Sequence, residues 1–129
     1  MDRHKKQRVN RERFDFLKER KAHMSAKIEY LKNEIRVRLD GEIDHHSASI
    51  IRLSIDDAII HKRPKTLILD FGAVSFMDSS GIGLVMGRYK LMKTVGGRIS
   101  VQNLSPGAYK VMKLAGLERL GELKQKEVV

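Results

Sequence analysis

A short unbroken run of apolar residues constrains the fold more than any other feature of this chain. Residues 67–69 are Leu-Ile-Leu, inside a segment, 66–71, that has the length of one strand. A continuous run of this kind is typical of a strand covered on both faces, as in a parallel sheet. Stretches with helical spacing come before it and after it. We therefore expect this segment to be the central strand of an α/β fold.

The two helical stretches have recognisable ends. The first runs from about Ser47 to Lys62, with cations in its last turn and Pro64 as a stop signal. The second starts near Ser79 and ends at Gly96 and Gly97. The residues expected to face inward from the first helix are Ala48, Ile51, Ile55, Ala58 and Ile59, and those from the second are Ile82, Val85, Tyr89 and Met92.

The remaining segments complete the sheet. Alternating apolar residues over 28–39 predict two strands joined by a tight turn at 32–34, and Ile99 and Val101 predict another strand. Ser105 and Pro106 have the types expected at the cap and the first position of a third helix. Its predicted common face holds Ala108, Val111, Met112 and Ala115, and a weak strand is expected over 120–123. The sequence thus predicts a four- to five-stranded mixed sheet packed with three to four helices.

Composition excludes several classes of function. A length of 129 residues suits one domain, and the absence of cysteine excludes disulfides, thiolate nucleophiles and cysteine-bound zinc. This fits a reducing compartment, so we expect a cytoplasmic protein. The longest apolar runs are far shorter than the roughly 20 residues that span a bilayer. No secretory signal is recognisable either, so no membrane association is expected.

Positive charge is concentrated at the start of the chain. The formal net charge is +10, and residues 1–23 hold nine Lys or Arg against four Asp or Glu. We expect this segment to be a flexible basic tail, either native or an extension upstream of the domain, and residues 24–129 to be the domain itself. Nucleic-acid binding through the tail is an open alternative. The domain has no Trp and few other aromatic residues, so it offers no base-stacking platform.

Residues 78–83, Asp-Ser-Ser-Gly-Ile-Gly, connect the central strand to the second helix. Asp78 or Ser79 can simply cap that helix. The glycines after a strand also allow a phosphate-binding loop, but their spacing does not fit the dinucleotide fingerprint and the P-loop lysine is missing. A nucleophilic Ser80 is disfavoured, because the hydrolase elbow requires glycine where Asp78 stands. A nucleotide-binding domain remains an alternative.

With its surroundings, this segment resembles the phosphorylation loop of the STAS domain family, which includes sulfate-transporter tails and anti-sigma factor antagonists. Residues 41–44, Gly-Glu-Ile-Asp, resemble the family's other characteristic loop. The resemblance covers about residues 28–120 and leaves the basic tail outside. Family members usually have a last helix where this chain has the charged residues 124–129. Features similar to the sporulation branch of the antagonists are His-His at 45–46, Gly-Arg-Tyr-Lys at 87–90, Gly-Gly at 96–97 and Ser-Pro at 105–106.

The resemblance implies a phospho-switched binding module that is not an enzyme and uses no cofactor or metal. Such an antagonist, when unphosphorylated, binds an anti-sigma factor that is also a serine kinase, and the sigma factor is released. Phosphorylation of Ser79 ends the binding, and a serine phosphatase resets it. The process controlled is sporulation transcription or, in a related class, a stress response. The residues implied at the partner or kinase surface are Asp44, Asp78, Ser80, Gly81, Ile82 and Gly83.

Other features of this region have more than one interpretation. Gly81 and Gly83 allow either close approach of a partner backbone or close packing of the helix on the sheet. The adjacent histidines 45 and 46 face different ways and have no evident third ligand, which favours a capping or surface role over a metal site. We expect Asp44 to lie beside Ser79, because both loops follow strands that should be neighbours.

Overall fold

Five strands form one mixed sheet in residues 24–127, the part of the chain that the computed structural model describes. The strands lie in the sheet in chain order; the first pair is antiparallel and the other pairs are parallel. The predicted mixed sheet is confirmed, whereas the basic tail predicted at 1–23 lies outside the described residues. The strands are β1 (Met24–Leu31), β2 (Glu34–Ile43), β3 (Thr66–Met77), β4 (Arg98–Leu104) and β5 (Glu122–Gln125).

A tight turn sets the register of the first strand pair. Leu31 pairs with Glu34, so that Lys32 and Asn33 alone connect β1 to β2. Asn33 has a φ of 61°, a left-handed conformation that asparagine tolerates better than most residues. The predicted turn is therefore confirmed.

The apolar run forms the central strand, as predicted. β3 pairs with β2 on one side and with β4 on the other. Leu67 and Leu69 are buried on one face, and Ile68 and Asp70 are buried on the other. Asp70 tolerates burial because its Oδ1 accepts hydrogen bonds from a backbone amide at 2.8 Å and from Asn103 Nδ2 at 2.9 Å.

β3 continues well beyond the end of its apolar run. The run ends at Phe71, but the strand extends to Met77 because its last residues pair with the end of β2. The final pair of this register is Ile43 with Met77. The segment that follows β3 therefore lies directly beside the segment that follows β2, and this places the candidate site.

Three helices of the described part, together with one face of the sheet, enclose the apolar core: α1 (His45–Lys62), α2 (Ser80–Thr94) and α3 (Pro106–Leu114). α1 begins two residues before the predicted Ser47, because Asp44 caps it. Its inward face is the predicted one. Within residues 24–127, no helix is both long and apolar enough to cross a membrane.

The inward face predicted for α2 is confirmed for Val85 and Met92 but leaves out two buried residues. Ile82 and Tyr89 are only half-buried, whereas Leu84 and Arg88 are buried. The reason is that α2 packs against α1 as well as against the sheet, so its buried stripe is turned toward that helix. The helix begins at Ser80, one residue after the expected start.

The C-terminal elements follow the predicted order with different burial. The Ser105 hydroxyl caps α3 by accepting a hydrogen bond at 3.2 Å, and Pro106 is its first residue, as predicted. On the predicted face only Met112 is buried, and Val111 is 46% exposed. α3 lies at the edge of the sheet beside β4 and β5, where it has little to pack against. β5 starts two residues later than the strand predicted at 120–123.

Candidate functional site

The loop after β3 is held against the end of β2 by a backbone hydrogen bond. The Asp78 amide donates to the carbonyl of Ile43 at 3.1 Å. Asp44 follows Ile43 directly, so both acidic residues stand at the same edge of the sheet. The predicted proximity of the two loops is confirmed in this geometry, while the role assigned to Asp44 remains a prediction.

Asp44 has a structural task at this edge. Its Oδ1 accepts a hydrogen bond from the Ser47 amide at 2.8 Å, and the Ser47 hydroxyl accepts one from the Asp44 amide at 3.0 Å. This reciprocal pair is a capping box, and it satisfies two backbone donors at the start of α1. Sequence analysis placed Asp44 in the partner or kinase surface and did not predict that it caps α1.

Asp78 binds the first residue of α2. Its Oδ1 accepts a hydrogen bond from the Ser80 amide at 2.8 Å and is also in very close contact with the Ser80 hydroxyl. Hydrogen bonds from the hydroxyl and then from the amide of Ser80 lower the pKa of Asp78 below its ordinary value, against the smaller opposing effects of desolvation and then of the Asp44 charge. Asp78 is therefore a carboxylate at neutral pH, and its side chain does the capping that the sequence allowed for either Asp78 or Ser79.

Ser79 is in a different position from its neighbour. It is exposed, it has helical backbone angles of −62° and −16°, and its side chain makes no capping hydrogen bond. Its carbonyl accepts the amides of Ile82 and Gly83 at 3.1 and 3.3 Å, which anchors the backbone below the hydroxyl. The loop thus presents one serine hydroxyl to solvent and holds the next against a carboxylate.

The two glycines of the loop differ in their surroundings. A Cβ at Gly81 would lie 2.3 Å from both Cγ and Sδ of Met77, so this glycine allows α2 to pack on the end of β3. A Cβ at Gly83 would meet nothing within 4 Å. Of the two interpretations, helix packing therefore applies to Gly81, and the open position needed for a partner's approach is at Gly83.

An apolar cleft adjoins the loop that carries Asp78 and Ser79. It has a volume of about 480 Å³ and lies between the end of β3 and the starts of α2 and α3. Phe76 and Val111 line it and are 55% and 46% exposed, and the half-buried Ile82 lines it next to Ser79. Sequence analysis gave neither Phe76 nor Val111 a role at the site, although Phe76 is only two residues before Asp78.

Metal binding finds no support at this edge. His45 and His46 are both exposed at the start of α1. In residues 24–127 no three His, Cys, Asp or Glu side chains are grouped so that they could hold an ion.

Comparison with known proteins identifies the family. The model of the STAS domain matches residues 26–128. This chain belongs to the STAS domain family. The anti-sigma F factor antagonist of Paenibacillus polymyxa is 32% identical over 106 residues, which are 82% of this chain and 91% of that protein. The anti-sigma F factor antagonist of Lysinibacillus sphaericus is 41% identical over 95 residues, 73% of this chain and 81% of the relative.

Other relatives extend this picture. The anti-sigma-B factor antagonist of Bacillus subtilis is 28% identical over 104 residues, which are 81% of this chain and 94% of that protein. The solved structure of the anti-sigma factor antagonist SpoIIAA in its unphosphorylated form matches with a TM-score of 0.68 at 38% identity. The match covers 77% of this STAS domain chain and 87% of SpoIIAA.

Proposed function

We propose that this chain is an anti-sigma factor antagonist switched by phosphorylation of Ser79. Unphosphorylated, it binds an anti-sigma factor that has serine kinase activity, and the sigma factor is released. After the kinase transfers a phosphate to Ser79 the complex separates, and a serine phosphatase restores the binding form. The names of the relatives support the antagonist role, and the geometry of the loop supports the switch.

The observation that carries the proposal is the difference between two adjacent hydroxyls. A kinase needs a serine that is accessible and not already engaged by its own chain. Ser79 is exposed and makes no capping hydrogen bond, whereas the Ser80 hydroxyl is held by Asp78. The fold therefore favours modification of Ser79 and leaves Ser80 a supporting role.

A phosphate on Ser79 changes the charge of the docking surface without disrupting the fold. The positive end of the α2 dipole tolerates an anion there. The phosphate adds nearly two negative charges next to the Asp78 carboxylate and near Asp44. A partner shaped for the neutral hydroxyl has to desolvate this anionic cluster, which costs several kcal/mol. Release of the partner follows.

The surface around Ser79 has features that suit a protein partner. The apolar cleft beside it can receive an apolar side chain, with Phe76 and Val111 as exposed contact residues. On the other side the open Gly83 allows close approach to α2. We place Asp44, Asp78, Ser80, Ile82 and Gly83 in the partner and kinase surface, and Gly81 beneath it.

The sigma factor concerned is proposed to be of the sporulation type. The two relatives at 32% and 41% identity are named as antagonists of anti-sigma F, and the relative at 28% is named as an antagonist of anti-sigma-B. A stress-type module is the second candidate. Titration of the unphosphorylated protein with purified anti-sigma F and anti-sigma-B factors distinguishes the two, since the cognate factor should bind at least tenfold more tightly.

Phosphorylation followed by peptide mass mapping tests the switch. The wild type and a Ser80→Ala variant should be modified at Ser79 by the kinase and ATP, whereas Ser79→Ala should remain unmodified and bound to the anti-sigma factor. Ser79→Asp should fold but bind one to two orders of magnitude less tightly, about 1.4 to 2.8 kcal/mol. Phosphate on Ser80 alone, or full phosphorylation of Ser79→Ala, contradicts the proposal.

A further inference from the structure

A positively charged groove separates α1 from α2 on the side of the loop away from the apolar cleft. It has a volume of about 290 Å³. His45 and Arg52 line it from α1, and Ser80 and Arg88 line it from α2. None of its lining residues is Asp or Glu. We call it the α1–α2 groove; its positive lining favours an anionic occupant.

Arg88 is unusual for a helical arginine because its side chain is only 7% exposed. Its Nε lies 2.7 Å from Asp56 Oδ1 on α1, as an ion pair without the alignment of a hydrogen bond. Nε and Nη1 are shielded from solvent and have no aligned acceptor in the described part of the chain. Burial lowers the pKa of Arg88, and the Asp56 charge opposes that effect. The guanidinium is thus buried against one carboxylate, with Nη1 lacking an aligned acceptor among the described residues, so its positive charge is only partly compensated.

The groove is open to a partner along α2. Gly83 and Gly87 stand one helical turn apart, on the same face, and both line the groove. A Cβ at either position would meet nothing within 4 Å. The absence of side chains here leaves the space through which a side chain of another protein can reach Arg88.

We propose that the α1–α2 groove binds a carboxylate side chain, Asp or Glu, of the anti-sigma factor, with Arg88 and Arg52 as its two cationic contacts. The inference rests on the proposed function. It adds a second contact with the same partner and names the chemical group that the partner supplies there. The groove is close enough to belong to the same interface, because it is lined by Ser80, the residue after Ser79. Burial and the ion pair with Asp56 hold the Arg88 guanidinium in place at the groove, and the exposed Arg52 supplies the second positive charge beside it.

Substitution of Arg52 tests the charge of the groove, because this side chain is exposed and its loss should not affect folding. Lys27→Gln is the matched control: it removes one exposed positive charge from β1, where neighbouring Ala26 and Ile28 pack toward the core. With purified anti-sigma F factor of Paenibacillus polymyxa as the probe, Arg52→Gln should weaken binding about tenfold or more. Arg52→Lys should keep most of the affinity, and Lys27→Gln should stay within twofold. Salt should weaken wild-type binding more steeply than binding of Arg52→Gln.

Gly87→Gln tests the space without removing a charge. The new side chain fills the groove, so binding should fall at least tenfold, while the urea midpoint should stay the same or rise because glycine is a poor helix former. If Arg52→Gln and Gly87→Gln both bind with wild-type affinity, the groove proposal is wrong. If those two variants bind normally while Ser79→Asp is released, the groove inference fails and the proposed function stands. If the wild type does not bind the anti-sigma factor, both fail.

Discussion

Replacing Gly81 by alanine should destabilise this protein, although the same change two residues later should stabilise it. Both glycines lie in the first turns of α2, where alanine is intrinsically favoured by up to about 1 kcal/mol. They differ in one respect. A Cβ at Gly81 would lie 2.3 Å from Met77 Cγ and Sδ, and a Cβ at Gly83 would lie in open space.

The magnitude follows from the contact at Met77. A carbon atom cannot approach a side chain to 2.3 Å, so Met77 or the start of α2 has to move, and Cγ lies too near the backbone for a change at the end of the side chain to suffice. Overpacking of this kind costs about 1–3 kcal/mol. Because the gain in helix propensity is similar in both variants, Gly81→Ala should be less stable than Gly83→Ala by roughly 1–3 kcal/mol.

Urea denaturation measures this difference. With a slope of about 1–2 kcal/mol per molar urea, a gap of about 2 kcal/mol separates the midpoints by roughly 1–2 M. A double-mutant cycle with Met77→Ala identifies the cause, since Gly81→Ala should become neutral or stabilising once Met77 is shortened. Equal urea midpoints for Gly81→Ala and Gly83→Ala would refute the claim that contact with Met77 destabilises Gly81→Ala.

Four further predictions concern the tail, the caps and the loop carboxylate. Deletion of residues 1–23 should leave partner affinity within about threefold in a titration, under roughly 0.7 kcal/mol, and a hundredfold loss would place the tail in the interface. Asp44→Asn should impair phosphorylation of Ser79 with a nearly unchanged melting temperature, because asparagine also caps helices; a collapse in melting temperature would make its role structural alone. Ser105→Ala should cost about 1 kcal/mol in urea denaturation through loss of the α3 cap, and an unchanged midpoint would contradict it. Folding lowers the pKa of Asp78, so this carboxylate stabilises the protein above its unfolded pKa of about 3.9, and the stabilisation is lost as the pH falls through the lower folded pKa. Asp78→Asn should therefore reduce the dependence of the unfolding free energy on acidic pH. An identical pH profile for the variant and the wild type would contradict this.

The elements of the fold were predictable because their signals are local. The turn at Asn33, the helix stop at Pro64 and the helix cap at Ser105 each depend on a few neighbouring residues. The alternation of apolar residues in strands and their helical spacing in helices indicate which side chains are buried. The length of β3 was not predictable, because its second half is held by pairing with β2 rather than by its own apolar residues. The burial of α2 was misjudged for the same kind of reason, since α1 covers part of it.

The sequence by itself determined which loop is the candidate site and that Ser79 and Ser80 are the two hydroxyls in question. The tertiary structure alone decided that Asp78 holds Ser80 while Ser79 stays exposed, and that Gly81 is packed while Gly83 is open. It also placed Arg88, an arginine that sequence alone would leave in solvent, in the interface between two helices. The physical reason is that burial and hydrogen-bond partners depend on which segments the fold brings together, and identical residue types acquire different roles from different neighbours.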